Sequence, residues 1–453
     1  MTECNFQIKI IMAHGRQPKD VAQELRRKMR EHASSVEEAV RRIIADVAER
    51  GDDAVVECER KYGWSGCTAD RLQVSDEEIN AAISSLDEDV ISSLKFAKCQ
   101  LEQYHMRRSP NSTIEFSDDG SLYAELIRPI ESLLIYVPGG RAVYPSTVLH
   151  VGVPAAVAGV PNIYITTPPD EHGNVHPAVL AASRLIGAKA VYRVGGAHAL
   201  AAFALGTKSI PKVDMIAGPG GSYVVAAKRL LFGIVGVDLL PGPSEVFVIA
   251  DDTADGELVA ADMLSQSEHG EDSAAVLVTP SERLLMGVRD ALLRMLSDAE
   301  RKEIILSSLN AFGALILAES IDWALELCNE YAPEHVEIHC ADALTVALRV
   351  RNAGAVFVGT PTACGDYVAG PSHVLPTLGA ARFSSGLSVE SFVRRVRCVL
   401  LSDERLCRIG GHVIKLACVE GLHNHARSVE IRLRRLGVRV EKGVCFDEVG
   451  WQT

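Results

Sequence analysis

The spacing of apolar residues changes character twice along the chain. From residue 35 to about residue 104 the period is helical. Ser35 and Glu38 have the spacing of a capping box, Val36, Val40, Ile43, Ile44 and Val47 fall on one face, and Gly51 ends the run. Ser75 and Glu78 repeat the capping signature, and Val90, Ile91, Leu94, Leu101 and Tyr104 predict another long amphipathic helix. Between Leu133 and Ala250 short β-branched runs alternate with alanine-rich helical ones. Strands are predicted at 133–137, 163–167, 190–194, 213–217 and 245–250, with helices near 147–159, 176–186, 198–204 and 222–234. Strands apolar throughout and separated by helices predict a parallel sheet covered on both faces. Further strands are predicted at 274–279, 313–318, 335–340 and 355–359. The first ~30 residues read as an arm or a short helix, and from Val389 the chain reads as mainly helical with a polar tail. The fold class is α/β. Without a fixed repeat or a low-complexity linker, its domains are expected to pack closely.

Composition narrows the partners. At roughly 100–200 residues per domain, 453 residues suggest two to four domains. A hydrophobic fraction of 47% with 23% charged residues is that of a folded protein and excludes disorder. Forty-six Lys and Arg against 59 Asp and Glu give a net charge of −13, which makes nucleic acid and anionic membrane poor partners. Arg427–Arg439 reads as an amphipathic helix face rather than a basic tail. The longest apolar stretch, Val148–Ile165, is broken by His150, Pro154, Pro161 and Asn162 and does not make a bilayer span. The N-terminus lacks the features of a signal peptide. Eleven cysteines without a Cys-x-x-Cys pair point to reduced thiols, most of them buried, in a cytoplasmic protein.

Candidate chemistry is scattered. Pro138-Gly139-Gly140, Gly195-Gly196 and Gly218-Pro219-Gly220-Gly221 follow predicted strands, where backbone N–H groups can cradle phosphate or simply make tight turns. None completes the dinucleotide fingerprint, since Tyr223 stands where its third glycine belongs. Gln266 and His269 lie three apart at the end of a helix predicted over 257–270 and stopped by Gly270, either as metal or ligand donors or as a solvated polar end. Glu334 and His335 open a strand in which His335, Glu337 and His339 share one side, a plausible acid/base pair or plain surface. Residues 365–377, with Asp366 and His373, look too broken by glycine and proline for helix or strand. Glu420, His423 and His425 cluster near the end; on an unbroken helix Glu420 and His425 would stand about 140° apart, so a shared site requires a break, with Gly421 the obvious place.

Joined in order, YVPGG (136–140), YPSTVL (144–149), VGGA (194–197), GPSEVFVIAD (242–251), SQSEHG (265–270), APEHVEI (332–338), GDYVAGPSHVLPT (365–377) and EGLHNHA (420–426) make the chain resemble the histidinol dehydrogenase family from about residue 30 to 435. The resemblance implies two incomplete Rossmann-like domains, one inserted in the other. A large domain would comprise residues 31–135 and 245–388, an inserted NAD-binding domain 136–244, and a helical domain 389–453 reaching the other protomer of a homodimer with shared active sites, after an arm at 1–30. It implies one Zn²⁺ per subunit on Gln266, His269, Asp366 and His425, the last from the partner subunit, and an acid/base pair in Glu334 and His335. Substrate contacts would come from Ser244, His373 and Glu420 together with those ligands and Glu334. The implied activity is the NAD-dependent four-electron oxidation of L-histidinol through L-histidinal to L-histidine. NAD contacts fall on Tyr136, His198 and Gly221. The last two depart from the family's usual Gln and Asn, and loss of one such hydrogen bond typically costs ~0.5–1.5 kcal/mol. These departures raise two alternatives: an enzyme of the same fold acting on another small polar alcohol, such as a sulfonated diol, or a zinc-holding protein without turnover. The donor set would also suit Mn²⁺ or Co²⁺.

Overall fold

The computed structural model describes residues 6–31, 36–139, 143–240 and 242–439, with the backbone alone for 28–31. Ser35, Gly140 and the tail beyond residue 439 lie outside the described residues. The chain divides into two compact units, Met1–Ser109 with Pro129–Phe392, and Pro110–Arg128 with Val393–Thr453. Fourteen strands occur among the described residues: β1 (Lys9–Met12), β2 (Thr113–Phe116), β3 (Leu122–Pro129), β4 (Ser132–Tyr136), β5 (Asn162–Thr166), β6 (Ala190–Tyr192), β7 (Met215–Ala217), β8 (Gly236–Val237), β9 (Glu245–Ala250), β10 (Ala274–Thr279), β11 (Ala314–Leu317), β12 (His335–His339), β13 (Ala355–Val358) and β14 (Val393–Leu400).

The first unit holds two sheets. One runs β6-β5-β4-β7-β8 and is parallel throughout, the strand order of a Rossmann sheet. Its strands alternate between two cores. Leu133 and Ile135 of β4 join Val148 and Leu149 of the helix Pro145–Ala158 on one face, while Leu134 and Tyr136 join Leu200 and Phe203 of the helix Gly196–Leu205 on the other. Each such buried side chain contributes roughly 1.5–3 kcal/mol, which is why the apolar runs were legible as strands. The exposed edge at β6 is covered by residues 72–74, where Val74 N–H donates to Val191 and Arg193 N–H to Leu72.

The other sheet runs β1-β11-β10-β9-β12-β13, again all parallel. Without β1 it has the same Rossmann-like order, built from β9, β10 and β11 on one side and β12 and β13 on the other. The expected alternation in β12 holds: Val336 and Ile338 enter the apolar core and His335, Glu337 and His339 take the opposite side. The N-terminal residues are more than an arm. β1 pairs with β11 from Lys9↔Ala314 to Met12↔Leu317, and the helix Pro18–Glu31 follows it. Four residues of which only Ile11 is buried carry too little periodicity to be seen locally; the partner 305 positions away makes them a strand.

The second unit carries a sheet that the mainly helical reading from Val389 onward did not include. The strand order β14-β3-β2 precedes two helices, Asp403–Val419 and His423–Arg435, which pack through Ile414, Ala417, Ala426 and Leu433. β14 reads VRRVRCVL, with arginines spaced as on a polar helix face and most positions exposed, so pattern alone misassigns it. Gly421 at φ 70° breaks the two helices apart, as the spacing of Glu420 and His425 required. No described helix is long and apolar enough to cross a membrane. Cysteine burial was overestimated: among eight free thiols only Cys67 and Cys328 are buried, and Cys418 is disulfide-bonded.

Candidate active site

The parallel order of β9 and β12 brings their first residues side by side, with His335 opposite Val246. Glu245 and Glu334 are therefore neighbours, and each accepts the other's backbone N–H: Glu245 N–H reaches Glu334 Oε2 at 2.9 Å and Glu334 N–H reaches Glu245 Oε2 at 3.3 Å. Both carboxyls are buried. Burial pushes Glu245 up to about 7 and Glu334 well above the carboxylate range, with their mutual repulsion and Asp366 adding to the latter.

His335 lies beside them, also buried. Its Nδ1 is 3.1 Å from the carbonyl oxygen of Glu245, which can only accept, so Nδ1 carries the proton. Nε2 is then an open lone pair, 4.0 Å from Asp366 Oδ1. Burial lowers the imidazole to about 4, with His269 and His373 adding to the shift. The ring is thus a neutral base at physiological pH.

Of the further predicted donors, Asp366 and His269 lie beside this ring, and Gln266 stands one helical turn before His269. Gln266 is buried on the last turn of the helix Gly256–Ser267, and its amide nitrogen has no partner. His269 follows the helix end, its Nε2 3.9 Å from Asp366 Oδ2. This helix stops three residues earlier than expected, with Glu268 as its cap rather than Gly270 as its stop. Asp366 sits in a short helix, Thr362–Tyr367, inside the segment expected to be irregular, and burial raises its carboxyl to about 6. Gly365 lies within the helix, and Gly370, Pro371 and Pro376 all follow its end. His373 donates from Nδ1 to the Asp366 carbonyl at 3.0 Å. Ser244 precedes β9 directly, half-buried. Glu420 and His425 belong to the second unit and are exposed beside the Gly421 break.

Several contributors had escaped sequence reasoning. Glu245 gave one signal, an acid opening a wholly apolar strand. His150 was noted only as an interruption, yet it stacks on His373 at 4.0 Å and 4°, and its Nδ1 accepts the His373 N–H at 3.0 Å. Glu337 accepts Thr362 N–H at 2.7 Å and so anchors the helix that carries Asp366. Around it Asp262, Glu337 and His339 hold donor atoms within 4.8 Å of one another. Burial, then the nearby Glu337 carboxyl, pushes Asp262 up to about 7.

The candidate cofactor residues lie in the other sheet, at the carboxyl ends of its strands where nucleotides bind in open α/β sheets. Tyr136 closes β4, and its hydroxyl accepts the Gly196 N–H at 3.1 Å. The turn at Gly218 is held by Asp238, which takes its N–H at 2.8 Å and pairs with buried Lys228 at 2.6 Å. Gly221 faces open space: a Cβ added there would meet nothing within 4 Å. His198 is buried against Glu59. By contrast, Glu245, Glu334 and His335 cluster at the amino ends of β9 and β12, the edge opposite to the usual one.

Two Rossmann-like parallel sheets and a buried carboxylate–imidazole pair define an α/β oxidoreductase of the dehydrogenase type. The chain belongs to the histidinol dehydrogenase family, whose profile matches residues 26–433. It is 44% identical over 402 residues to the histidinol dehydrogenase of a Synechococcus species, covering 88% of this chain and 93% of that protein. It is 42% identical over 410 residues to that of Bacillus cereus, covering 89% and 95%. The crystal structure of histidinol dehydrogenase from Elizabethkingia anophelis superposes with a TM-score of 0.89 at 35% identity, over 96% of this chain and 99% of that one.

Proposed function

We propose that the chain oxidises L-histidinol to L-histidine by way of L-histidinal, using NAD⁺ and a zinc ion. The observation that carries the proposal is His335, whose Nδ1 is held by the Glu245 carbonyl so that its unprotonated Nε2 faces Asp366 at 4.0 Å, with His269 Nε2 3.9 Å from the same carboxyl group. The donor set fits a metal. Gln266 leaves a buried amide atom without a partner, and a half-turn of its amide would present the oxygen to an ion. Gln266, His269 and Asp366 would hold zinc with His425 from a second copy of the chain. Zinc in that position supplies Lewis acidity and a fixed orientation for the substrate.

His335 takes the hydroxyl proton at Nε2 as the carbinol C–H leaves with its electron pair. Glu334, kept protonated by burial, then hands its own proton to the aldehyde oxygen while its other oxygen takes one from the water that adds to the aldehyde carbon, so the hydrate forms and the carboxyl is left protonated as before. The hydrate loses a second hydride and becomes the carboxylate. NAD⁺ accepts the two hydrides in turn, so one histidinol, one water and two NAD⁺ give histidine, two NADH and three protons. Glu420, from the same second copy, would balance the substrate ammonium, and Ser244 and His373 would line its site. Tyr136, His198 and the Gly221 turn would hold the dinucleotide. The sulfonated-diol alternative gains no support from the relatives above, and retained Glu420 gives a substrate ammonium its counter-charge.

The test is to follow NADH at 340 nm with L-histidinol and NAD⁺ and to identify the product by mass. Two NADH per histidine, lost on chelation and restored by zinc, is the expected result. His335→Asn should lower kcat on the order of 10²–10⁴-fold; undiminished oxidation by that variant would remove His335 from the role of base.

A further inference from the structure

The helix Asp52–Tyr62 buries one face, Ala54, Val55, Val56 and Glu59. Glu59 is thus a carboxylate on a core stripe, only 2% exposed, and a charge so placed needs partners. Its Oε1 accepts Gly195 N–H at 2.6 Å and lies 2.9 Å from His198 Nε2. Its Oε2 is buried without a partner, in a space left by Gly63, where a Cβ would come within 2.4 Å of that oxygen.

Two consequences follow for the turn after β6. Glu59 Oε1 is already the acceptor of the Gly195 N–H, and as the acceptor of His198 as well it takes the proton of Nε2–H, leaving Nδ1 as an acceptor. That atom faces the turn: a Cβ on Gly196 would lie 3.4 Å from it. The helix Gly196–Leu205 opens here, and a helix start is normally a place for an anion. Glu59 already fills that place with its own charge. The Gly196 N–H is spent on Tyr136 and the Gly195 N–H on Glu59, so a phosphate would find neither of these donors free, nor a favourable field.

We propose that Glu59 is a positioning residue for the dinucleotide. It fixes His198 as the Nε2–H tautomer so that Nδ1 accepts a hydroxyl or amide proton of the cofactor. This rests on the reading of the crevice beside Tyr136 as the cofactor site. Glu59→Gln would let the amide donate to His198 and invert the tautomer without changing side-chain size.

The experiment is an NADH fluorescence titration of the zinc-loaded protein, Glu59→Gln, His198→Ala and the double variant, with zinc content and the KM for L-histidinol measured alongside. Each single variant is expected to weaken NADH about tenfold, the worth of one charge-assisted hydrogen bond. The double variant should be no weaker than His198→Ala alone, because Glu59 acts through His198. Zinc content and histidinol KM should stay within about twofold. An unchanged NADH affinity in Glu59→Gln, or losses that multiply in the double variant, would overturn the assignment while leaving the cofactor site standing. Failure of the unaltered protein to bind NADH would overturn both. If Glu59→Gln does not fold, the ¹⁵N-imidazole spectrum of the unaltered protein decides, with His198 identified by its loss in His198→Gln. An Nε2–H signal is expected, and an Nδ1–H signal refutes the proposal.

Discussion

Glu245 keeps its proton in the folded protein to a higher pH than the unfolded chain does. Its carboxyl titrates near 7 when folded against an ordinary 4.5, chiefly through burial. Below pH 4.5 both states are protonated and the contribution is complete. As pH rises the unfolded chain loses its proton first, so stability falls across the window up to about 7 and then levels off, by on the order of 3 kcal/mol. Urea unfolding at pH 5 and pH 8 should register that fall, and Glu245→Gln should lack its share of it. Equal falls in the two proteins would assign the slope to other groups. Lone residues were the hardest part of the site to read. Glu334 and His335 could be nominated, but their bonds to Glu245 depend on strand pairing between positions 89 and 90 apart.

Among the elements, β12 and β13 show how closely backbone packing governs the acid/base pair. Gly354 precedes β13, and a Cβ there would come within 2.6 Å of the Glu334 carbonyl oxygen, a backbone atom that cannot swing aside. Gly354→Ala should therefore displace the start of β12. The expected loss in kcat is on the order of a hundredfold, the cost of roughly 1 Å of misplacement, with zinc content retained. Wild-type turnover in that variant would show that the strand start tolerates movement. Most elements were visible in sequence because their apolar period matched their geometry, as in β4, β9 and β10. The failures were β1, with one buried residue, β2, β3 and the two-residue β8, and β14, whose arginines imitate a helix. The short helix around Asp366 was hidden by the glycines and prolines around it. The break at Gly421 was correctly inferred because no unbroken helix can turn Glu420 and His425 to one side.

For the whole molecule, the decisive arrangement is the division of labour between two sheets of the same strand order, one offering its carboxyl edge and the other its amino edge. If His425 and Glu420 act in a second copy's site, two inactive variants should complement each other. Mixing His335→Asn with His425→Ala under subunit exchange should restore about a quarter of wild-type activity, since a random half of the dimers would be mixed and each would carry one intact site. No recovery after proven exchange would place all ligands in a single chain. The α/β class, the parallel sheets and the family could all be read from residue order, and the same motifs nominated the residues proposed to hold zinc and move protons, because periodicity and motif are local properties of the chain. The tautomer of His335, the protonated state of Glu334 and the contact of Glu59 with His198 could not. Those properties come from burial and from hydrogen bonds between residues far apart in the chain, and neither exists until the strands have paired.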